Sequence, residues 1–406
     1  MCFGMAPSMA YALDWSLKTS QVETIELNDN QFLRASPGAS LGSYSTLTAD
    51  AEALTPTSKF DINADGTYKK YWGPGVDGLP SEYLSYGSKV HYELNEKNNK
   101  FDREFLETEW RQQSTALALL NDLGFVSPTQ GFLDRLTATG GIDRSLSNRD
   151  TLSLLANATR TSYEPSSGGT PFTDVLARGS WRHRLNEETA LNASSEYERL
   201  NFDNATNSQL QIYRDQIGIE ATLSPVLSFR GNAGAAYLIT EGGGNPLASS
   251  GTAAPGSGSS SSSLADWIGD AVLTYKMLKN TTLALTASQT ISPSIVGSLF
   301  KRDSATASVS HTINNESTLS FSANWNRAIS TTTTDYASGS VTYGYTFTHD
   351  LTAQLTYRYQ HRFASSGTVT IDPITGTPTV GGTGPATSNS IMFVVSHNYT
   401  LLPHGN

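Results

Sequence analysis

The residues of this chain best suited to bind a charged ligand are arginines and glutamates at every second position of extended segments. Around Arg178, for example, the polar or charged side chains fall at Arg178, Ser180, Arg182 and Arg184. Guanidinium groups form forked hydrogen bonds with carboxylate and phosphate, so such a face predicts binding of anionic groups. The alternative is that the same residues form ion-pair ladders that only stiffen a protein wall, and the sequence leaves both open. The bases of this set are Arg178, Arg182, Arg184, Arg214, Arg230, Lys276, Arg302, Arg358 and Arg362, and the acids are Glu196, Glu198, Glu220, Asp266 and Asp270.

Catalytic chemistry has little support in the sequence. Four histidines, His183, His311, His361 and His397, fall on the apolar side of their segments, where a Ser/His pair could hydrolyse a lipid. Serine is so abundant that its presence near a histidine carries no information. The chain has no Gly-rich phosphate loop, metal-ligand cluster or haem-attachment motif. We therefore predict no catalytic residue, no metal and no cofactor.

The segments that position the charged side chains alternate between apolar and polar residues. In one of them Leu319, Phe321, Ala323 and Trp325 alternate with serines and asparagines. A period of two indicates a β-strand, because successive side chains point to opposite faces of a sheet. One apolar and one polar face, repeated along the chain, is the pattern of a transmembrane β-barrel with lipid outside and water inside.

Composition narrows the alternatives. The hydrophobic fraction is 37% and the mean hydropathy is -0.32, and no apolar run approaches the length of a membrane helix. An aromatic content of 10% argues against disorder. A net charge of -10 argues against nucleic-acid binding.

The alternation predicts about eighteen antiparallel strands, with 16–18 compatible with the pattern, in one closed all-β barrel. Two examples are the segments 101–117 and 387–402. Connections after even-numbered strands are short and rich in Asn, Asp, Ser and Pro, and we predict them to be periplasmic turns. Connections after odd-numbered strands are mostly longer and are predicted to be extracellular. The low-complexity segment within residues 242–261 is predicted to be one of these surface loops.

The first residues resemble a processed export signal. Residues 1–12 end in Ala10-Tyr11-Ala12, the small-x-small pattern that signal peptidase reads, and they contain the only cysteine, Cys2. We therefore expect residues 1–12 to be a signal-peptide remnant and residues 13–406 to be a single barrel. A cysteine-free mature chain suits passage through an oxidising periplasm.

Aromatic residues on the apolar faces lie near the predicted strand ends. Amphipathic rings favour the membrane–water boundary, so these residues predict two aromatic girdles. The residues concerned are Trp181, Tyr237, Trp267, Tyr275, Trp325, Tyr345, Phe347, Phe363 and Tyr399.

The sequence resembles the outer-membrane β-barrel porin 2 family in three places: the early strand–loop block 12–27, the stretch 109–124 and hairpins such as residues 180–191. Members of that family often accompany exopolysaccharide or capsule export. The resemblance implies a Gram-negative outer-membrane porin for hydrophilic, anionic or polysaccharide solutes, and it carries over no functional residue. The expected partners are outer-membrane lipid and lipopolysaccharide, the solute and a periplasmic export protein, with a homo-oligomer left open and no nucleic acid. A non-conducting adhesive barrel and a lipid-modifying enzyme are the alternatives.

Overall fold

The computed structural model describes residues 14–33, 37–77, 81–95, 102–115, 131–164, 170–203, 208–241, 262–293, 299–329, 333–363 and 384–402. The predicted signal remnant 1–12 and the predicted loop 242–261 lie outside these ranges. The strands are β1 (Asp14–Asn28), β2 (Ser40–Leu54), β3 (Ser58–Trp72), β4 (Glu82–Asn95), β5 (Arg103–Ser114), β6 (Phe132–Ser145), β7 (Asp150–Tyr163), β8 (Phe172–Arg184), β9 (Thr189–Phe202), β10 (Gln209–Ser224), β11 (Leu227–Glu241), β12 (Ser262–Leu278), β13 (Thr281–Pro293), β14 (Leu299–Thr312), β15 (Ser317–Ile329), β16 (Thr333–Thr346), β17 (Leu351–Arg362) and β18 (Ala386–Leu402). No helix among the described residues is long and apolar enough to cross a bilayer.

The strands form one closed antiparallel barrel of 18 strands, as the alternation predicts. Each strand pairs with its neighbours in sequence, and β1 pairs with both β2 and β18, which closes the ring. Closure removes the unpaired sheet edges that neither a bilayer nor water-exposed protein tolerates well. In the part of the chain that the structure describes, no strand or helix crosses the interior as a plug, since every strand packs mainly against its two ring neighbours.

The connections give the barrel two different ends. Those after even-numbered strands are mostly short, for example from Ser224 to Leu227 and from Leu278 to Thr281. We call this end of the barrel the short-turn end and the opposite end the loop end. Connections at the loop end are mostly longer, although the one between Ile329 and Thr333 is short and the one from Asn95 to Arg103, at the short-turn end, is long.

Side chains that mimic backbone turns close the short connections. The Ser147 hydroxyl accepts hydrogen bonds from the backbone N–H groups of Arg149 at 3.1 Å and Asp150 at 3.0 Å. Asn314 Oδ1 likewise accepts from the backbone N–H groups of Glu316 at 2.9 Å and Ser317 at 2.8 Å. These are the Ser and Asx turns that the polar composition of the connections predicts.

The two faces of each strand differ as the alternation requires. On β10, Ile217 is 73% exposed on the outer face, whereas Ile212 is completely buried on the inner face. Buried apolar residues gather on the inner face at the loop end, in two clusters. The larger one comprises Phe172, Leu200, Leu210, Ile212, Ala236, Leu238, Ile268 and Ile291, and the smaller one comprises Phe32, Tyr71, Val76 and Tyr83.

The ladder between β12 and β13 stops before the loop end. Pairing runs from Leu278↔Thr281 to Gly269↔Gln289 and does not continue beyond Gln289. At this point side chains replace the backbone partners of the ladder. Asp266 Oδ1 accepts a hydrogen bond from the Trp267 N–H at 2.8 Å, and Gln289 Nε2 donates one to the Trp267 carbonyl at 2.8 Å. The backbone polar groups of Trp267, which would otherwise be unpaired, are thereby satisfied.

Beyond Gln289 the end of β13 turns into the barrel. Ile291 lies at an odd position, like the outward Leu285, yet it is only 2% exposed and packs in the larger inner cluster. Arg214 on β10 donates from Nη2 to the Ile291 carbonyl at 2.7 Å. In an undistorted wall, three strand spacings would separate them by about 14 Å, too far for a single arginine side chain.

Candidate pore lining and ion-binding surface

All the predicted charged residues lie on the inner face. Register shows this directly for one row, in which Arg178 pairs with Glu196, Glu196 with Arg214, Arg214 with Ala236, and Ala236 with Asp266. The remaining members occupy equivalent even-numbered positions on β8 to β12, β14 and β17. The same face also carries Asp174, a sixth acid that the sequence reasoning omitted although it shares the parity of Arg178. Their role as pore lining stays a prediction.

Near the loop end of β8 and β10, Arg178 and Arg214 are neutralised by carboxylates. Glu196 and Glu198 are 7% and 5% exposed, and Arg214 bonds to both, with 2.6 Å between Arg214 Nη1 and Glu198 Oε2. Arg178 Nε donates to Glu196 at 2.6 Å. This network, which we call the Arg214 network, joins β8, β9, β10 and the inturned end of β13. Buried charges are stable only when paired in this way.

Two further bases are held by partners on other strands. Arg358 Nη2 lies 3.0 Å from Glu26 Oε1, which connects β17 with β1 across β18. Arg362 donates from Nε and Nη2 to the Gly384 carbonyl at 3.2 and 3.1 Å. An ion pair, as in the ladder that the sequence left open, therefore accounts for Arg358, whereas a backbone carbonyl holds Arg362.

Bases at the short-turn end are different. Arg182 bonds to Glu220 at 3.0 Å, but Arg184, Arg230 and Lys276 make no ion pair or side-chain hydrogen bond within the described residues. Arg184 and Arg230 flank Glu220, since Glu220 pairs with Ala190 and Arg230, and Ala190 pairs with Arg184. Arg302 lies on the same inner face of β14, nearer the loop end.

The opposite wall, formed by β1 to β6, is also charged, and there acids outnumber bases. Typical pairs are Lys59–Glu52 at 2.7 Å and Arg111–Asp65 at 2.8 Å. The charged residues predicted from the sequence lie only on β8 to β17, although the same alternation is present in the earlier strands. The inward acids of this wall are Asp14, Glu26, Asp50, Glu52, Asp61, Asp65, Glu93, Glu107, Glu109 and Asp143, and the inward bases are Lys18, Lys59, Lys69, Lys89, Arg103, Arg111 and Arg135.

Between these walls, β13 to β18 present mostly hydroxyl and amide groups. Cross-strand hydrogen bonds join Ser322 to Ser340 at 2.7 Å and Thr342 to Thr356 at 2.9 Å. Such pairs satisfy each other, so this sector is polar, and its only charges at inward positions of the alternation among the described residues are Arg302, Arg358 and Arg362. The interior therefore has an acid-rich side on β1 to β6, a side on β8 to β12 where six bases face six acids, and a mostly uncharged side on β13 to β18.

The predicted girdle aromatics lie on the outer face in two sets. Trp181, Tyr275, Tyr345, Phe347 and Tyr399 are near the short-turn end, and Tyr237, Trp267, Trp325 and Phe363 are nearer the loop end. Trp267 is the most exposed of them at 62%, while Trp325 and Tyr345 are partly covered by neighbours. Trp15, Trp72, Trp110 and Tyr213 share the outer face and were missed by the sequence reasoning. Their position at the edges of a membrane stays a prediction.

The described ranges contain no group of three or more His, Cys, Asp or Glu side chains placed to hold a metal ion. Two of the four outward histidines pair locally, whereas the buried Nδ1 of His361 has no hydrogen-bond partner among the described residues. His183 Nδ1 lies 2.8 Å from Asp150, and His311 Nδ1 lies 2.8 Å from the Thr281 hydroxyl.

Solved structures of other proteins have the same fold as this chain. The FrpB iron transporter from Neisseria meningitidis superimposes with a TM-score of 0.53 at 8% identity, covering 95% of this chain and 81% of that one. The ferric-catecholate import receptor Fiu from E. coli K12 gives 0.50 at 10% identity, covering 95% and 82%. No protein-family model and no curated protein sequence matches the chain, so the resemblance to the β-barrel porin 2 family stays a prediction. The chain has the fold of an outer-membrane β-barrel, and at this low identity the similarity does not indicate which solute it binds.

Proposed function

We propose that this protein is an outer-membrane channel that conducts hydrophilic solutes through the barrel interior. The observation that carries the proposal is the closed ring of 18 strands, whose inner face is polar outside two apolar clusters at the loop end and which, among the described residues, has no plug strand or helix across the lumen. Barrels of about 16–18 strands are too wide for side chains alone to fill and leave an aqueous passage. The short-turn end would face the periplasm and the loop end the exterior, with lipid and lipopolysaccharide against the outer face.

The bases without ion pairs near the short-turn end favour solutes that carry anionic groups along that part of the β8 to β12 side. Small ions of both signs would pass, because the acid-rich wall opposite supplies a compensating field. An acidic polysaccharide moving outward, handed over by a periplasmic export partner, is the finer form of this proposal and is supported by the family resemblance. The neutral hydroxyl sector would let the sugar rings slide without strong binding.

Conductance of the purified protein in planar phospholipid bilayers tests the proposal. A channel gives discrete steps of steady current in potassium chloride, with only weak selectivity between potassium and chloride. A correctly folded barrel that inserts but passes no steady current would instead be a structural or adhesive protein. Release of fatty acid from phospholipid micelles would point to the lipid-modifying alternative.

A further inference from the structure

Three bases at the short-turn end of the inner wall are not neutralised by protein carboxylates. Arg184 ends β8, Arg230 is near the start of β11, and Lys276 is near the end of β12. None has an ion pair within the described residues, in contrast to the Arg214 network at the other end. We call these three residues the basic collar.

The arginines of the collar stand around one carboxylate. Glu220 is directly opposite Arg230 in the register, so their side chains start about 5 Å apart. Arg182 already bonds to Glu220, with its Nη2 and Nε 3.0 and 3.1 Å from Glu220 Oε2. Three guanidinium groups therefore lie around a single wall carboxylate, and among the described residues only that of Arg182 is bonded to it.

A recess lies between these side chains. It has a volume of about 440 Å³ and is lined by Arg182, Arg184, Arg230, Glu220, Glu188 and Thr274, among others. Glu187 and Glu188 contribute negative charge at its rim, in the exposed turn after β8. The recess is large enough for a phosphate or carboxylate group with its nearest atoms.

We propose that this recess binds the oxyanion groups, phosphate or carboxylate, of a solute that approaches from the short-turn opening. Free guanidinium groups form forked, charge-assisted bonds with such oxyanions. At the loop end of the same β8 to β12 wall, an anion would have to displace Glu196 or Glu198 from Arg178 and Arg214. On this wall the geometry therefore makes anion capture one-sided, which suits a solute leaving the periplasm. This inference rests on the proposed channel function.

One-sided block of single-channel current tests the site. Tripolyphosphate and tricarballylate, which carry phosphate and carboxylate groups, are added separately to either chamber. The orientation of the inserted barrel in the bilayer is determined with a Cys2→Ser/His349→Cys variant, since the His349 side chain is 94% exposed in a short turn. Biotinylation there lets streptavidin mark the chamber that the short-turn end faces.

We expect half-block at a concentration at least about tenfold lower from the short-turn side than from the loop side. Arg184→Gln/Arg230→Gln should remove this difference while current persists. Arg160→Gln, which removes a guanidinium from the outer face of β7, should retain it. Block by one probe only would identify the oxyanion class.

Two outcomes separate this site from the channel itself. Equilibrium dialysis of tripolyphosphate against detergent-solubilised protein measures binding without current. A protein that passes no current but loses tripolyphosphate binding in Arg184→Gln/Arg230→Gln refutes the channel and retains the site. A conducting protein with equal block from both sides, unchanged by that double variant, overturns the site.

Discussion

Arg214 is the residue whose removal should destabilise the barrel wall most. It is the partner of Glu198 at 2.6 Å, shares Glu196 with Arg178, and donates to the Ile291 carbonyl at 2.7 Å. Arg214→Met keeps an unbranched apolar side chain but removes the guanidinium, which leaves Glu198 buried and uncompensated. Breaking a buried ion pair from one side costs about 3–5 kcal/mol, and an orphaned carbonyl costs about 1–3 kcal/mol. Because the two losses share one side chain and are not additive, we expect a total near 3–5 kcal/mol.

Urea unfolding of the protein in phospholipid vesicles, followed by tryptophan fluorescence, measures this change in the free energy of unfolding. Arg230→Met is the matched control, since Arg230 lies on the same face without an ion pair, and it should change stability by less than about 0.5 kcal/mol. Arg214→Met/Glu196→Gln/Glu198→Gln should recover part of the loss, because the stranded charges are then gone. If Arg214→Met unfolds at the same urea concentration as the control, the network does not support the wall as described.

Two smaller perturbations test local features of the wall with the same assay. Gln289→Leu removes the donor to the Trp267 carbonyl where the β12–β13 ladder ends, and should cost about 1–3 kcal/mol. Gln354→Leu, at an exposed inner-face position, is the control and should change the free energy of unfolding little. Equal losses of stability in the two variants would refute a role for Gln289 at the end of the β12–β13 ladder. Ser147→Ala removes the hydroxyl that accepts two backbone N–H groups in the β6–β7 turn and should cost about 1 kcal/mol. An unchanged unfolding midpoint would show that water replaces that hydroxyl without loss.

The faces and the strand number could be predicted from the sequence because alternation is a local property. The segments 101–117 and 387–402 became β5 (Arg103–Ser114) and β18 (Ala386–Leu402), with errors confined to the ends. Arg178 and Arg214 were placed on one face by parity alone. Parity carries no information about which residues of other strands lie alongside, however, since that depends on register and on the tilt of the strands.

The partners of the charged residues could not be predicted for that reason. Arg358 meets Glu26 only because β1 and β18 close the ring and β17 lies one strand further. Ile291 departs from its parity because the ladder to β13 ends at Gln289, and nothing in the alternation marks that position. The distinction between neutralised and free bases, on which anion binding depends, therefore required the structure.

A transmembrane channel needs an outer face in contact with lipid and an inner face in contact with water, and a pair of adjacent substitutions measures this directly. Leu285 lies on the outer face of β13 and Thr286 on its neutral inner face. Leu285→Arg should lower the free energy of unfolding in phospholipid vesicles by roughly 2–4 kcal/mol, the cost of arginine on the lipid face near mid-membrane. Thr286→Arg should leave it nearly unchanged. Equal costs at the two positions, or a larger cost at Thr286, would contradict a lipid-facing exterior around a wet interior.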